Sequence, residues 1–268
     1  MEHQIILPPN HLKRWVRFFW TFDNVDKFSC ALTLKTFACR FPRLVFQHNN
    51  GHSAVNIDGN KIPVSFFSGL HSKPNTLTFS ANFSLTGISF YPHAVKTIFG
   101  IDCHELTDEF PSIQSFAPKW LEERLLNTPT QSDRIKVVGD FVYDLILRNG
   151  KEDLIAASSL SILNNANNEN VIHYLTKHYG ISEKQLERRF KLHIGFNPKQ
   201  YLRITRFEKA IERINTNGFQ NLSDIAYDLN YYDQTHFIKD FKEYSGFTPL
   251  AFFKQNKSFE ETSSMFIK

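Results

Sequence analysis

The sequence predicts an α+β protein. A mostly β N-terminal domain with helices after it is followed by an all-α C-terminal domain, two helix-turn-helix units joined by a long helix. Three observations predict this. Short runs rich in Val, Ile, Phe and Thr, separated by turn residues, fill the chain to about residue 91. Helical periodicity replaces them from there on. A kernel of Leu186, Phe190, Gly195, Phe196 and Pro198 then recurs as Phe237, Phe241, Gly246, Phe247 and Pro249, with every interval kept. One supersecondary unit used twice leaves such a signature.

Taken in order, the strand candidates are Trp15–Phe22, Leu32–Phe37, Leu44–Gln47, Val55–Ile57, Val64–Phe67, Leu77–Ser80 and Leu85–Tyr91. Asn49-Asn50-Gly51 and Asp58-Gly59 supply turn chemistry between them. Strands at this spacing suggest a sandwich or barrel. Pro92–Gly100 reads as a short helix, with Pro near its start and Gly past its end. Helical patterns follow at Pro118–Leu126, Arg134–Leu147 and Asp153–Leu163. Residues 164–170 are polar and asparagine-rich, which favours a turn over a helix interior. They divide an N-terminal domain, 1–163, from a helical domain, 171–257, with a tail, 258–268, in which no periodicity is read.

Bulk properties bound the function. Three cysteines (Cys30, Cys39, Cys103) lack any CxxC spacing. That argues against a disulfide framework or a structural zinc site and for a reducing cytoplasm. No window approaches the roughly 18 apolar residues of a membrane span, so a soluble protein without a membrane partner is expected. Residues 1–163 carry 16 Lys/Arg against 15 Asp/Glu, whereas 164–257 carry 14 against 10. The positive excess therefore sits with the repeat, as a polyanion partner requires.

Within the first unit, Ser182 and Gln185 have the spacing of a capping box. Leu186 and Phe190 share the inward face, against Val171, Ile172 and Leu175, while Lys184, Glu187, Arg188 and Lys191 point away. Gly180 provides the turn. In the second unit Asp233 caps the helix, and Phe237 and Phe241 face Leu222, Ile225, Ala226 and Leu229. Gln234, Thr235 and Lys239 face out, and Asn230 holds the turn. A polar outer face on the second helix of each unit suits insertion into the major groove, N-terminal turns first. Lys and Arg can meet guanine or phosphate there, and Gln can meet adenine. A helical bundle with solvated outer faces has the same pattern.

Residues 181–253 resemble the DNA-binding domain of AraC/XylS-type transcriptional regulators. The resemblance rests on Leu186, Arg188, Phe190, Gly195, Pro198, Tyr201, Arg206, Ala210, Ile225-Ala226, Leu229, Asp233, Gln234, His236-Phe237, Phe241-Lys242, Gly246, Thr248 and Pro249. It implies recognition helices in successive major grooves, with Lys184, Glu187 and Arg188 facing bases in one and Gln234, Thr235 and Lys239 in the other. The DNA-binding set is therefore Lys184, Gln185, Arg188, Gln234, Thr235 and Lys239. At the second turn this chain has Asn230-Tyr231 where the family usually has Gly-Phe.

The resemblance further implies a variable N-terminal domain for sensing or dimerisation. The run from Gly87 to Pro92, then Ala94, Phe99-Gly100 and Leu106, is similar to such a domain. The partners implied are double-stranded DNA, a small-molecule effector in 1–163, a second copy and, for an activator, RNA polymerase. No cofactor, metal or catalytic set is read. His48 and His52 flank a turn, and the HxH with downstream Glu of a metal-binding cupin is absent. Cys103-His104 has no triad partner nearby. The aromatics Trp15, Phe18, Phe19, Trp20, Phe22, Phe66, Phe67 and Phe90 serve either core packing or an apolar pocket. The competing reading is a metal-dependent or small-molecule-binding β-barrel protein or enzyme whose helical domain does not bind DNA.

Overall fold

A computed structural model describes residues 2–24, 31–149, 151–166, 170–216, 221–255 and 265–267. Two five-stranded antiparallel sheets form the N-terminal half. The first sheet contains β1 (Glu2–Ile6), β2 (Val16–Asn24), β4 (Arg43–Gln47), β7 (Ser65–Ser68) and β9 (Phe83–Phe90), in the order β1-β2-β9-β4-β7. The second contains β3 (Leu32–Thr36), β5 (Val55–Ile57), β6 (Asn60–Lys61), β8 (Asn75–Phe79) and β10 (Met265–Ile267), in the order β10-β3-β8-β5-β6.

The alternation of side chains sorts the first sheet into two buried faces. Trp20, Phe22, Val45, Phe66 and Leu85 face the second sheet's Leu34, Val55, Ile57 and Phe79. Phe19, Leu44, Phe46, Phe67, Ile88 and Phe90 face the helices α1 (Ala94–Phe99), α2 (Lys119–Asn127) and α3 (Gln131–Asn149). Val16 joins that second set although it lies an odd number of residues from Phe19. A register shift between Val16 and Phe18 inserts the extra residue that returns it to the helix side. Gly87 is required where the Trp20 indole lies across β9, because a Cβ there would sit 2.0 Å from Trp20 Cε2.

The C-terminal half is helical: α4 (Leu154–Asn165), α5 (Asn170–Tyr179), α6 (Glu183–His193), α7 (Pro198–Asn215), α8 (Leu222–Asp228), α9 (Gln234–Ser245) and α10 (Pro249–Gln255). Its core centres on Leu186, Phe190, Leu202, Phe207, Phe237, Phe241 and Phe252. Ala156, Leu160 and Leu163 of α4 pack into this cluster, as do Phe37, Ala38 and Leu70 from the β half. The two halves therefore share one hydrophobic seam.

Three strands escape the sequence reading. β1 and β6 lie at sheet edges, and β6 is two exposed residues. The tail, read as having no defensible pattern, contributes β10, which pairs antiparallel with β3 through Met265↔Thr36. An edge strand takes its order from the neighbour's free backbone groups rather than from its own periodicity, so neither end of the chain signals it. Residues 167–169, within the expected linker, lie outside the described residues, as do Cys30 and 256–264.

Candidate nucleic-acid interface

Each unit builds its outward helix from its own local chemistry. At the start of α6, Ser182 Oγ accepts from Gln185 N at 3.2 Å and Gln185 Oε1 accepts from Ser182 N at 2.8 Å, closing the expected capping box. Gly180 holds the turn at φ 62°. Leu186 and Phe190 are fully buried, which leaves Lys184, Gln185, Arg188 and Lys191 exposed. At the start of α9, Asp233 accepts from His236 N at 2.7 Å. Asn230 occupies the left-handed region at φ 54°, so it holds the second turn as Gly180 holds the first. Phe237 and Phe241 are fully buried, and Gln234, Thr235 and Lys239 are exposed.

Exposure alone leaves charges solvated; pairing would neutralise them. Among the described residues, Lys184, Arg188 and Lys239 form no ion pair. Neighbouring cations behave differently. Arg189 pairs with Asp153, Lys199 reaches Glu183 at 3.3 Å, and Arg203 reaches Asp240 at 2.8 Å and Glu243 at 2.9 Å. Gln185 Oε1 accepts the Ser182 N–H in the cap, which leaves its amide nitrogen to donate to an acceptor outside the unit. Glu187 is half-buried. His104, from the 3-10 turn Cys103–Leu106, stands at the edge of the groove along Lys184, Arg188 and Lys191.

The long helix α7 sets one unit against the other. Asn197 caps it, accepting from Gln200 N at 2.8 Å, and Pro198 occupies its first turn. Arg206 is buried, stacks 4.9 Å from the Tyr231 ring and reaches the Asn230 carbonyl. Arg203 binds Asp240, which is 1% exposed, and that hydrogen bond raises the guanidinium further above its ordinary range. Helical periodicity puts Asp240 on the inward face, three residues after Phe237, but an acid there looks like an error until its partner is seen. The sequence reading also gives no role to Tyr232 and Tyr227, 93% and 84% exposed beside the second turn. An aromatic one residue before the cap of α9 is the signal that could have found Tyr232.

The other candidates resolve into structural roles. His48 Nε2 lies 2.9 Å from Thr86 Oγ1, and burial drives its pKa down to about 3. His52 is exposed in the turn. No group of three or more metal-ligating side chains occurs among the described residues. The Cys103 thiol is buried, donates to the His193 carbonyl and is pushed up to about 12 by desolvation, which is the wrong direction for a nucleophile. No described helix is long and apolar enough to cross a membrane.

Residues 175–255 match the family model described as a helix-turn-helix domain. This C-terminal region is an AraC-type helix-turn-helix domain. The AraC-type match spans both units and the helix between them, so the repeat, the caps and the two left-handed turns belong to one domain. Residues 4–112 match a domain of unknown function (DUF6597), which covers both sheets apart from β10 and stops short of α2. No curated protein matches the chain. Among solved structures, ToxT from Vibrio cholerae is similar at 11% identity over 96% of this chain and 97% of that chain, with a TM-score of 0.42. A ToxT structure with bound unsaturated fatty acid, from the same organism, is 12% identical over 90% of this chain and 98% of that one, with a TM-score of 0.45. Both are likenesses in outline.

Proposed function

We propose that the chain is a cytoplasmic, sequence-specific transcriptional regulator. Its helices α6 and α9 enter successive major grooves of one duplex, and its N-terminal domain adjusts their affinity. The observation that carries this reading is the set of exposed, unpaired cations Lys184, Arg188 and Lys239 on the outer faces of two capped helices in an AraC-type domain. Such charges replace condensed counterions on DNA, so phosphate contacts supply most of the affinity. Arg188 and Lys184 from α6, with Gln234, Thr235 and Lys239 from α9, then select sequence, and Gln185 adds an amide donor. In this reading 1–163 senses a small molecule or mediates self-association, 164–170 links, 171–257 binds DNA, and RNA polymerase is a partner of the activating form. The two readers differ at every matched outward site, so one chain suffices for an asymmetric site.

Selection of bound sites from random duplex DNA tests the reading. Two short blocks about one helical turn apart are expected. Arg188→Ala is expected to lower affinity for the selected site by about tenfold or more and to relax one base position, whereas Lys239→Ala weakens binding. Variants that bind the site like the parent would show that the readers are misplaced. Binding that ignores salt would remove DNA as the partner.

A further inference from the structure

The turns of the two units are closed by the same backbone features, yet the second turn is one residue longer. Gly180 and Asn230 take the left-handed conformation, at φ 62° and 54°. The residue after each returns its N–H to the first helix of its unit. Ile181 donates to the Thr176 carbonyl at 3.1 Å, and Tyr231 to the Ala226 carbonyl at 2.9 Å. Both of these side chains pack into the helical core. In the first unit the cap, Ser182, follows Ile181 directly. In the second, Tyr232 stands between Tyr231 and the Asp233 cap. Tyr232 is thus the extra residue.

Its place in the unit limits what it can do. Tyr232 is 93% exposed, and its phenol makes no hydrogen bond to any described residue. The side chain therefore has no part in the core. Consecutive Cα atoms are about 3.8 Å apart, so Tyr232 lies within about 8 Å of Gln234, the first residue of α9. A recognition helix enters the major groove with its N-terminal end first. A side chain just ahead of the cap then comes to the edge of the groove, where the phosphates are. There a tyrosine offers its ring to deoxyribose and one O–H donor to a phosphate oxygen. The neighbouring Asp233 carboxylate is turned into the helix, where it accepts from His236 N at 2.7 Å.

We infer that Tyr232 is a DNA-backbone contact of the second unit, its phenol donating to a phosphate at the edge of the major groove that α9 enters. The inference rests on the regulator reading above and adds a residue that the first unit's shorter turn does not supply. Because the phenol is neutral, the contact adds affinity without displacing a counterion, unlike one from Lys239. Because phosphates carry no sequence information, it acts on every duplex alike. It fixes the register of α9 in the groove and leaves the choice of bases to Gln234, Thr235 and Lys239.

The test uses the full-length protein with two probes, the duplex selected from random DNA and a duplex of the same length and scrambled sequence. Tyr232→Phe removes the hydroxyl and keeps the ring. It is expected to weaken binding to both probes by the same factor, about tenfold, with the salt slope and the Tm unchanged. Lys239→Ala, by contrast, is expected to flatten the salt slope by about 0.9. Neutral methylphosphonate linkages are then placed one at a time around the second block. At the contacted phosphate, parent and Tyr232→Phe are expected to bind alike, and at other linkages the difference persists. A scan in which no linkage removes the difference overturns the contact, as does a fallen Tm or a flattened slope in Tyr232→Phe. A loss confined to the selected duplex would make Tyr232 a base reader and overturn the phosphate assignment. Where the parent binds with salt dependence and Arg188→Ala is impaired, a Tyr232→Phe protein that binds like the parent overturns this inference and leaves the regulator reading standing. A parent that binds neither probe overturns both.

Discussion

The two helix-turn-helix units share a kernel at matching positions and are seated on the N-terminal half in different ways. In the first, Gly195 at φ 104° presses against the β half, where a Cβ would come within 3.0 Å of the Cys103 carbonyl and of Thr107 Oγ1. In the second, a Cβ on Gly246 at φ 76° would have Pro74 and Lys35 as its nearest neighbours, no closer than 3.5 Å. Polar contacts hold the first unit at the end of α6, through Thr107, Cys103 and Asp153. Aromatic packing does most of this for the second, through Phe37 on Phe207 and Phe252 and Lys35 over the Phe247 ring at 4.5 Å, beside a backbone hydrogen bond from Ala38 to the Tyr244 carbonyl at 2.9 Å. A repeated kernel thus specifies how a unit packs within itself. How it is coupled to its neighbour is specified by residues outside the kernel, where the copies are free to diverge.

The largest expected effect tests the aromatic side of this contrast. Phe241 meets Phe207 at 5.2 Å, Phe252 at 5.3 Å and Phe237 at 5.8 Å. Phe241→Ala should therefore cost about 3–5 kcal/mol in urea unfolding, in line with full truncation of a buried ring. A loss under about 1 kcal/mol would mean that the second unit's core does not contribute to global stability.

Next come the two glycines. An L-residue in the left-handed region costs about 1–2 kcal/mol, so Gly246→Ala should lose about that much. Gly195→Ala should lose more, because its methyl also meets the Cys103 backbone. The denaturation midpoints of the pair decide it: equal losses would show that the first unit's seat gives way without resistance.

Acid separates the two seats by direction. Burial holds His193 below its ordinary pKa, and the Asp153 carboxylate 3.5 Å away opposes this only in part. A histidine depressed in the folded state contributes stability above its unfolded pKa and loses it as pH falls through and below that value. Between about pH 7 and 5 the first seat should weaken. The aromatic seat contains no comparable group at Phe37, Phe207 and Phe252. Hydrogen exchange corrected for its intrinsic pH dependence should show α6 opening more readily at the lower pH with α10 unchanged, and His193→Gln should abolish the difference.

The smallest effect belongs to the turns. Gly180 and Asn230 adopt nearly the same conformation, at φ 62° and 54°. Asn230→Gly should change stability by no more than about 1 kcal/mol, since relief of the left-handed strain is offset by a freer unfolded chain. A larger change, read from thermal melts, would mean that the Asn230 side chain supports the second turn by itself.

Much of the helical half is legible in the amino-acid sequence. The long helix expected between the units forms over Pro198–Asn215, because a proline opens it and apolar residues recur along one face. The Ser182/Gln185 capping box and the Asp233 cap are local chemistry at fixed spacing, and both form as expected. The exposed positions of Lys184, Arg188, Gln234, Thr235 and Lys239 follow from the same periodicity. In the β half, strand cores are legible and strand edges are not. β1, β6 and β10 depend on a neighbour's free backbone groups, and the bulge after Val16 depends on what each face must bury.

By itself, then, the amino-acid sequence determined the two units, their caps, their turns and the charge they present, since each rests on interactions within a few residues along the chain. Only the tertiary structure decided what joins them to the rest. Asp240 is buried because Arg203 reaches it, Arg40 ties the β half to Glu208 and Tyr201, and Phe37 belongs at once to a sheet cavity and a helical core. These contacts join residues 37 to 215 positions apart, and no local pattern carries that information. The physical reason is that burial and pairing are properties of a place in space, and distant segments reach that place only when the whole chain has folded.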